Sequence, residues 1–141
     1  MGRLVKAIMT QPVEALRPTM PVSEARRILA DSNFNHLPVV DDDGKVVGIV
    51  GTGDLLRVVL EAYGVEETKE NAVLDRQFKL REIMEPDVIT IGPDEPVRRA
   101  AELLAKGTFH ALPVVDGEGK LLGMCTSTDL IQLLVELLGD A

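Results

Sequence analysis

The sequence predicts an α/β fold of the mixed α+β kind, built from two tandem copies of one β-α-β-β-α unit. Three observations support this prediction: an internal repeat, apolar spacings that alternate between strand and helix periods, and Asp/Gly turns at matching places in both copies. One copy is too small to bury a sufficient core alone. We therefore expect the two copies to pack against each other about a pseudo-twofold axis.

The repeat is exact in its spacing. Residues 8–60 align with residues 83–135 without a gap, and 20 of the 53 aligned positions are identical. Unrelated segments of ordinary composition would match at roughly one position in fifteen. The longest shared run is Leu-Pro-Val-Val-Asp, at 37–41 and again at 112–116. The chain therefore arose by duplication of one unit.

The first half of each copy predicts a strand followed by a helix. Short apolar segments at 13–16 and 88–91 are each followed by a proline two residues later. Thr19 and Asp94 then predict helix N-caps, with a proline in the first helical turn. Apolar residues spaced by three and four predict amphipathic helices, the second of them ended by Gly107: Val22, Ala25, Ile28 and Leu29, then Val97, Ala100, Leu103 and Leu104.

The second half of each copy predicts a hairpin and a final helix. Asp/Gly turns join the strands at 37–40 and 46–50, and the strands at 112–115 and 121–125. The final helices are predicted over 54–62 and 129–138. Residues 1–62 thus form the first repeat and 80–141 the second. The charged linker, 63–79, has no repeat partner; Gly64 is predicted to stop the preceding helix, and 66–80 is a candidate connecting helix.

Composition narrows the functional classes. The 141 residues are 45% hydrophobic and include no Trp, so the core must be aliphatic. The formal charge of −8 makes nucleic acid an unfavourable partner, because a phosphate backbone would be repelled. The single cysteine suits a reducing compartment. No segment resembles a signal peptide or a membrane span, so we expect a soluble, cytoplasmic protein.

Catalytic and metal-binding patterns are not recognisable. Two histidines 74 residues apart and one cysteine give no zinc-ligand spacing. A Ser127–His110–Asp129 set has no nucleophile-elbow context and no identifiable oxyanion donor. The acidic turn 41–43 is interpreted as solvated carboxylates rather than a cation site. We therefore expect neither an enzyme nor a metalloprotein.

Asp129 is the most informative polar residue. It opens the last predicted helix directly after a strand, and Thr126 lies three residues before it. A carboxylate in that place can accept hydrogen bonds from a ribose diol, while the Thr hydroxyl and the free N–H groups can hold phosphate. The residues alone allow a second interpretation, in which Asp129 complements the helix dipole and Thr126 or Ser127 is a cap.

The ordered motifs resemble a known family. Ile-Met, a Pro/Val-containing segment, Leu-Pro-Val-Val-Asp, a Gly-Lys turn and Gly-x-x-[Thr/Ser]-x-x-Asp-Leu together resemble the cystathionine β-synthase (CBS) domain, here twice in tandem as in a Bateman module. The resemblance implies adenosine-containing ligands in two clefts between the repeats, frequent homodimerisation, and regulation of an effector protein without chemistry. AMP, ADP, ATP and S-adenosylmethionine are typical family ligands. The few basic residues near the sites favour AMP or ADP over ATP.

The resemblance also implies two sets of ligand-binding residues. For Phe34 and Phe109 a role in the core is the preferred interpretation, and Met9 and Met84 could also be core residues. His36 and His110 are equally compatible with a contact to phosphate and with a purely structural role. The Asp129 cleft is expected to use Met124, Thr126, Ser127 and Thr128, with Met9, Thr10, Val13, Glu14, Phe34 and Asn35 from the first repeat. The Asp54 cleft is expected to use His36, Gly51 and Thr52, with Met84, Pro86, Asp87, Val88, Phe109 and His110 from the second repeat.

The first repeat departs from the family pattern at one position. Gly51 stands where the family usually has Thr or Ser, although Thr52 follows it immediately. We therefore expect the Asp129 cleft to be occupied more readily than the Asp54 cleft. The same departure supports an alternative function, a dimerising scaffold with empty or degenerate clefts. Binding of S-adenosylmethionine is a further alternative.

Overall fold

The computed structural model describes residues 2–32, 34–61, 72, 75, 76 and 78–139. Within these residues the chain forms helices and strands in the order expected for two copies of one unit. They are a 3₁₀ turn at Val5–Ala7, then α1 (Val22–Asp31), β1 (His36–Val40), β2 (Val46–Gly51), α2 (Thr52–Glu61), α3 (Leu80–Ile83), α4 (Val97–Ala105), β3 (Ala111–Val115), β4 (Leu121–Thr126) and α5 (Ser127–Leu138).

The compact units do not coincide with the sequence repeats. The first unit comprises residues 14–43 and 47–87, and the second comprises residues 1–13, 44–46 and 88–141. Residues 1–13, which begin the first repeat, thus belong to the second unit. The equivalent segment of the second repeat, including α3, belongs to the first unit.

The first unit packs α1, α2 and α3 around the paired strands β1 and β2. The prediction of an amphipathic α1 is confirmed, because its four spaced apolar residues are all buried. Leu80 and Ile83 of α3 complete this core. The fully buried side chains are aliphatic, as the aromatic-poor composition requires: Leu16, Leu37, Leu80, Val22, Val39, Val50 and Val58.

The second unit repeats this arrangement. β3 and β4 pair antiparallel, with Ala111 opposite Thr126 and Leu112 opposite Cys125. Val5 from the N-terminal turn is fully buried in the same core as Leu112, which ties the start of the chain to the second repeat. Its backbone N–H donates to the carbonyl of Glu95 at 2.9 Å. The core is therefore completed by residues far away in sequence.

The predicted hairpin turns require glycine at one position each. Gly44 has φ +82° and Gly119 has φ +85°, a region that disfavours side chains. Asp116 opens the second turn and its Oδ1 accepts the N–H groups of Glu118 and Lys120 at 2.8 and 3.0 Å. These bonds lower the pKa of the Asp116 carboxyl, because they stabilise the charged form.

Two sequence predictions about the first half of each copy are wrong in detail. The leading segments form one parallel bridge each, Leu16 to Val39 and Ile91 to Val114, rather than continuous strands. The N-caps of α1 and α4 are Pro21 and Pro96, without a side-chain cap, and not Thr19 and Asp94. Proline already fixes the φ that a helix entrance needs, so no capping side chain is required there.

The observed ends of the other helices lie closer to their predicted positions. Gly107 follows α4 with φ +76°, which confirms its predicted role as the terminator. The last helix of each copy begins two residues before the predicted Asp54 and Asp129, at Thr52 and Ser127. The predicted connecting helix over 66–80 lies mostly outside the described residues.

Candidate functional site

The junction of β4 and α5 places Asp129 in a reciprocal helix cap. Thr126 is the N-cap residue, and its hydroxyl accepts the backbone N–H of Asp129 at 3.3 Å. In return the Asp129 Oδ2 accepts the backbone N–H of Thr126 at 2.8 Å and its hydroxyl at 3.1 Å. This is the capping-box arrangement, which satisfies two donors at the start of the helix. One oxygen of Asp129 is therefore fully used by the fold.

The second oxygen of Asp129 points to the N-terminal segment. Its Oδ1 accepts the hydroxyl hydrogen of Thr10 at 3.0 Å. Thr10 is held in place by paired backbone bonds with Met124, at 2.8 and 3.0 Å. Asp129 is only 9% exposed, the one buried charged residue recorded among the described residues. Four of the predicted site residues are thus brought together, and Asp129 keeps one oxygen directed at a neighbouring hydroxyl.

Asp54 repeats this geometry in the first unit with different partners. Its Oδ2 accepts the backbone N–H of Gly51 at 2.8 Å, as Asp129 does from Thr126. Its Oδ1 faces the guanidinium of Arg57 at 3.8 Å. The position of Thr10 is taken by Glu85, whose backbone pairs with Ile49. In both units, therefore, one carboxylate oxygen caps the helix and the other faces a side chain, Thr10 for Asp129 and Arg57 for Asp54.

Gly51 has a packing reason for lacking a side chain. A Cβ atom built at residue 51 would lie 2.7 Å from Cδ2 and 2.8 Å from Nε2 of His36. The imidazole therefore occupies the space that the Thr126 side chain occupies in the second unit. The aligned partner of His36 is Ala111, which leaves that space open. The sequence analysis did not connect these two differences between the repeats. His36 aligns with Ala111 and Gly51 aligns with Thr126, so a large side chain at one position accompanies a small one at the other.

Two further glycines allow residues 9–10 to approach β4 and residues 84–85 to approach β2. A Cβ at Gly123 would lie 2.7 Å from the Thr10 carbonyl oxygen and 3.1 Å from Met9 Sδ. A Cβ at Gly48 would lie 2.5 Å from Met84 Sδ. Met9 therefore lies over Gly123 of β4, and Met84 lies over Gly48 of β2, each within its own unit. No sequence motif had indicated this packing, although both glycines recur in the repeat.

The remaining predicted residues fall into three groups. Phe34 and Phe109 pack against the cores of the first and second unit, which confirms the preference for core residues. The carbonyl of Asn35 accepts the N–H of Thr52, and that of His110 accepts the N–H of Ser127. The structure thus places Asn35 beside α2 and His110 beside α5, each in its own repeat's unit. The others lie at half-buried or exposed positions: Val13, Glu14, Pro86, Asp87, Val88 and Thr128.

Cys125 lies on β4, one residue before Thr126. It is fully buried in the second core, opposite Leu112. Burial and the nearby negative charge of Asp129 raise the pKa of the Cys125 thiol from 9.0 to about 11. Both effects disfavour the thiolate. The thiol is therefore an inert apolar residue of the strand.

We predict slow labelling of Cys125 in the folded protein. At pH 8 a thiol reagent should react at least about a hundredfold more slowly than in denaturant, because reaction requires opening of the core. The raised pKa also means that the folded state holds its proton longer than the unfolded state. The free energy of unfolding should therefore fall as the pH rises from about 9 towards about 11. Equal labelling rates with and without denaturant would contradict this description.

Two other classes of site find no support in the described part of the chain. Among the described residues, no three His, Cys, Asp or Glu side chains come close enough together to hold a metal ion. The acidic turn at 41–43 is occupied internally: Asp41 accepts the N–H of Asp43, and Asp42 pairs with Arg17. None of the described helices combines the length and apolar character that crossing a bilayer requires.

Comparison with known proteins assigns the family. The family model described as CBS domain matches residues 5–61 and 80–136, which together cover most of the sequence. The chain therefore belongs to the CBS domain family and carries two tandem copies of the domain. The resemblance inferred from the motifs is confirmed, and so is the fold class. CBS domain pairs are typically regulatory modules.

Solved structures of CBS domain pairs match nearly the whole chain. The CBS domain pair of protein MJ0100, in complex with 5′-methylthioadenosine and S-adenosyl-L-methionine, is 32% identical with a TM-score of 0.79. The match covers 97% of this chain and 99% of that one. CBSX2 in complex with AMP is 27% identical with a TM-score of 0.80, covering 98% and 100% of the two chains. CBSX2 is a protein of Arabidopsis thaliana.

Curated relatives include much longer proteins. A homoserine O-acetyltransferase of Methanohalobium evestigatum is 31% identical over 132 residues. That alignment covers 94% of this chain and 24% of the relative. The chain thus spans about a quarter of the length of the first curated relatives it matches, and the shared part is the CBS domain pair.

Proposed function

We propose that this chain is a regulatory module that binds adenosine-containing ligands at Asp129 and Asp54 and signals through a partner protein. The observation that carries the proposal is the divided use of each carboxylate. Oδ2 of each Asp accepts a backbone N–H of the strand end, whereas Oδ1 faces a side chain that a ligand can displace. A ribose hydroxyl in the place of the Thr10 hydroxyl would find an acceptor already oriented.

The relatives support the ligand class. MJ0100 binds methylthioadenosine and S-adenosylmethionine, and CBSX2 binds AMP. These compounds share adenosine and differ at the 5′ position. The part shared by these ligands is the nucleoside, which agrees with a carboxylate placed for ribose. For this chain we propose AMP, ADP or ATP, or a thioether or sulfonium derivative of adenosine, as the ligand.

The experiment is a thermal-shift panel of AMP, ADP, ATP, S-adenosylmethionine and GMP on the purified protein. A ligand at 100 times its Kd should add about 2.7 kcal/mol of apparent stability, a shift of several degrees in the melting temperature, Tm. A rise with an adenosine ligand that GMP does not reproduce would support the proposal. A flat panel at millimolar concentrations would contradict it and favour a dimerising scaffold.

Besides the effector protein, we propose a second copy of the chain as a partner. Helix α5 carries a row of exposed apolar side chains at helical spacing, and the helix has no basic residue. A patch of this kind commonly marks an interface, and a homodimer buries the same patch on both copies. The exposed residues are Ile131, Leu134, Val135, Leu137 and Leu138, each at least 53% exposed.

We predict that Leu134→Glu weakens self-association. A charge in the centre of an apolar twofold interface meets its own copy and should raise the dimer dissociation constant at least about tenfold. Light scattering after size exclusion should then show a mass close to 15.3 kDa. Gln132→Glu, on the same helix, is the control for added charge alone. A monomeric wild-type protein, or a dimeric Leu134→Glu variant, would contradict this interface.

A further inference from the structure

A cavity of about 400 Å³ opens in the second unit between the loop at residues 90–95, which precedes α4, and the start of the hairpin turn at residues 115–117. Its volume falls within the range of small-ligand sites. The end of β3 lines this cavity, whereas His110, just before the start of β3, contacts Ser127 of α5. The cavity therefore lies at the opposite end of β3 from the Asp129 site.

The first unit shows what occupies the equivalent space there. Every lining position has an aligned residue in the first repeat, 75 positions earlier. Arg17 stands at the position of Gly92. Its Nη1 donates to the backbone carbonyl of Asp41 at 3.0 Å and to Oδ1 of Asp42 at 3.1 Å. In the first unit, therefore, a guanidinium group bridges the loop and the turn.

The second unit lacks this guanidinium but offers acceptors for one. The turn keeps its aspartate, Asp116, and thus a backbone carbonyl at the same place. Glu95 stands where the first repeat has Met20, which packs against the first core. Its Oε2 accepts the N–H of Gly92 at 2.6 Å, and a Cβ at residue 92 would lie 3.5 Å from that oxygen. A carboxylate therefore lies beside the point from which the Arg17 side chain starts in the first unit.

The charges around the cavity leave it acidic. None of its lining residues, all of which belong to the described part of the second unit, is basic. Lys6 Nζ lies 2.9 Å from Asp94 and Lys120 Nζ lies 3.5 Å from Glu118, so both lysines already have a carboxylate partner. Lys45 lies across an antiparallel bridge from Lys120 and does not line the cavity. The lining carboxylates of residues 95 and 116 thus form no ion pair with a described residue.

We propose that this cavity binds a guanidinium group, carried by an arginine side chain of a partner protein or by a free guanidino compound. The guanidinium donates to the backbone carbonyl of Asp116, as Arg17 does to that of Asp41, and pairs with the carboxylate of Glu95. Its planar set of N–H donors fits carbonyl and carboxylate acceptors, and it stays charged at every physiological pH. The site is separate from the two adenosine sites, so this inference goes beyond the proposed function.

The first test is an NMR titration of the isotope-labelled chain with Nα-acetyl-L-arginine N-methylamide at millimolar concentrations. We expect the backbone amide signals of residues 92, 95, 116 and 117 to shift. The citrulline counterpart, which has a neutral urea in place of the guanidinium, should bind at least about tenfold more weakly. Added salt should weaken only the arginine compound. Free L-arginine separates the two sources: equal binding indicates a free guanidino compound, whereas weaker binding, caused by its α-carboxylate, indicates a protein side chain.

The second test fills the cavity from within the chain. Gly92→Arg gives the second unit the guanidinium that Arg17 gives the first, and a Cβ at residue 92 meets nothing closer than 3.5 Å. This variant should bind the arginine compound at least about tenfold more weakly and should have a higher Tm than Gly92→Met, the control for a long uncharged side chain. Glu95→Gln keeps an acceptor for the residue 92 N–H and should weaken binding at least about threefold.

The third test opens the equivalent space in the first unit. In Arg17→Gly the arginine compound should shift the amide signals of residues 41 and 42, which it leaves unchanged in the unmodified protein. Unchanged signals around the cavity, or equal binding of the arginine and citrulline compounds, would overturn the inference. A folded Gly92→Arg variant that binds as before would also overturn it. If that variant does not fold, Arg17→Gly decides, because the absence of new shifts at residues 41 and 42 contradicts a guanidinium site. None of these outcomes depends on adenosine binding.

Discussion

The double variant Asp54→Ala/Asp129→Ala is expected to lose the whole ligand-induced rise in Tm. Each substitution removes the carboxylate oxygen that faces away from the helix cap and is placed for a ribose hydroxyl. At 100 times the Kd the lost stabilisation is about 2.7 kcal/mol for one site. Asp129→Ala alone should remove only the response of the second site. The measurement is the thermal-shift panel, repeated on each variant.

These substitutions also remove helix caps, so a matched control is needed. Asp116→Ala removes a carboxylate of the second unit that accepts backbone N–H groups in a turn and is not a candidate ligand residue. It should lower the free energy of unfolding of the free protein by about 1 kcal/mol, and its Tm accordingly. The ligand-induced rise in Tm should stay intact. A full ligand response in the double aspartate variant would contradict the proposed site.

Gly123→Ala is expected to be more destabilising than Gly48→Ala or Gly53→Ala. The new Cβ would lie 2.7 Å from the Thr10 carbonyl oxygen, which itself accepts the N–H of Met124. The carbonyl belongs to the backbone and cannot turn aside without loss of this bridge. We expect a loss of about 1–3 kcal/mol in free energy of unfolding and a fall of roughly 5–10 °C in Tm.

Two other glycines provide graded controls for this prediction. Gly48→Ala, at the equivalent position of the first unit, meets mainly the flexible end of Met84 and should cost less. Gly53→Ala lies in α2 with no atom within 4 Å of its Cβ, and should be neutral or stabilising by up to about 1 kcal/mol. Equal Tm values for Gly123→Ala and Gly53→Ala would show that the Thr10 backbone does not pack tightly against Gly123.

Gly123→Ala should also affect the site itself. Displacement of the Thr10 backbone would move its hydroxyl away from Asp129 Oδ1. The N-terminal segment therefore connects packing in the second unit to the geometry of the candidate ligand site. We therefore expect Gly123→Ala to weaken ligand binding as well as to lower the Tm.

The sequence by itself determined the features that depend on neighbouring residues. The repeat located both hairpins, the positive-φ glycines of their turns and the final helices. The spacing of Thr126 and Asp129 predicted a polar pair at a helix start, because three residues bring the two side chains together in a first helical turn. Proline misled the prediction of the N-caps: it was placed inside the helix, whereas it takes the cap position itself.

The family resemblance placed Thr10 in the Asp129 cleft, but only the tertiary structure decided which atoms of the two residues meet. Thr10 and Asp129 are 119 residues apart, and no local period records that they share a hydrogen bond. The grouping of residues 1–13 with the second repeat also escapes the pattern, because any apolar segment can fill any apolar surface of suitable size. The exchange between His36 and Thr126 became interpretable only once the ring was seen beside Gly51. Groupings of nearby residues can be predicted from their spacing in the sequence. Contacts between distant residues depend on how the side chains fit together in the folded chain, which spacing does not reveal.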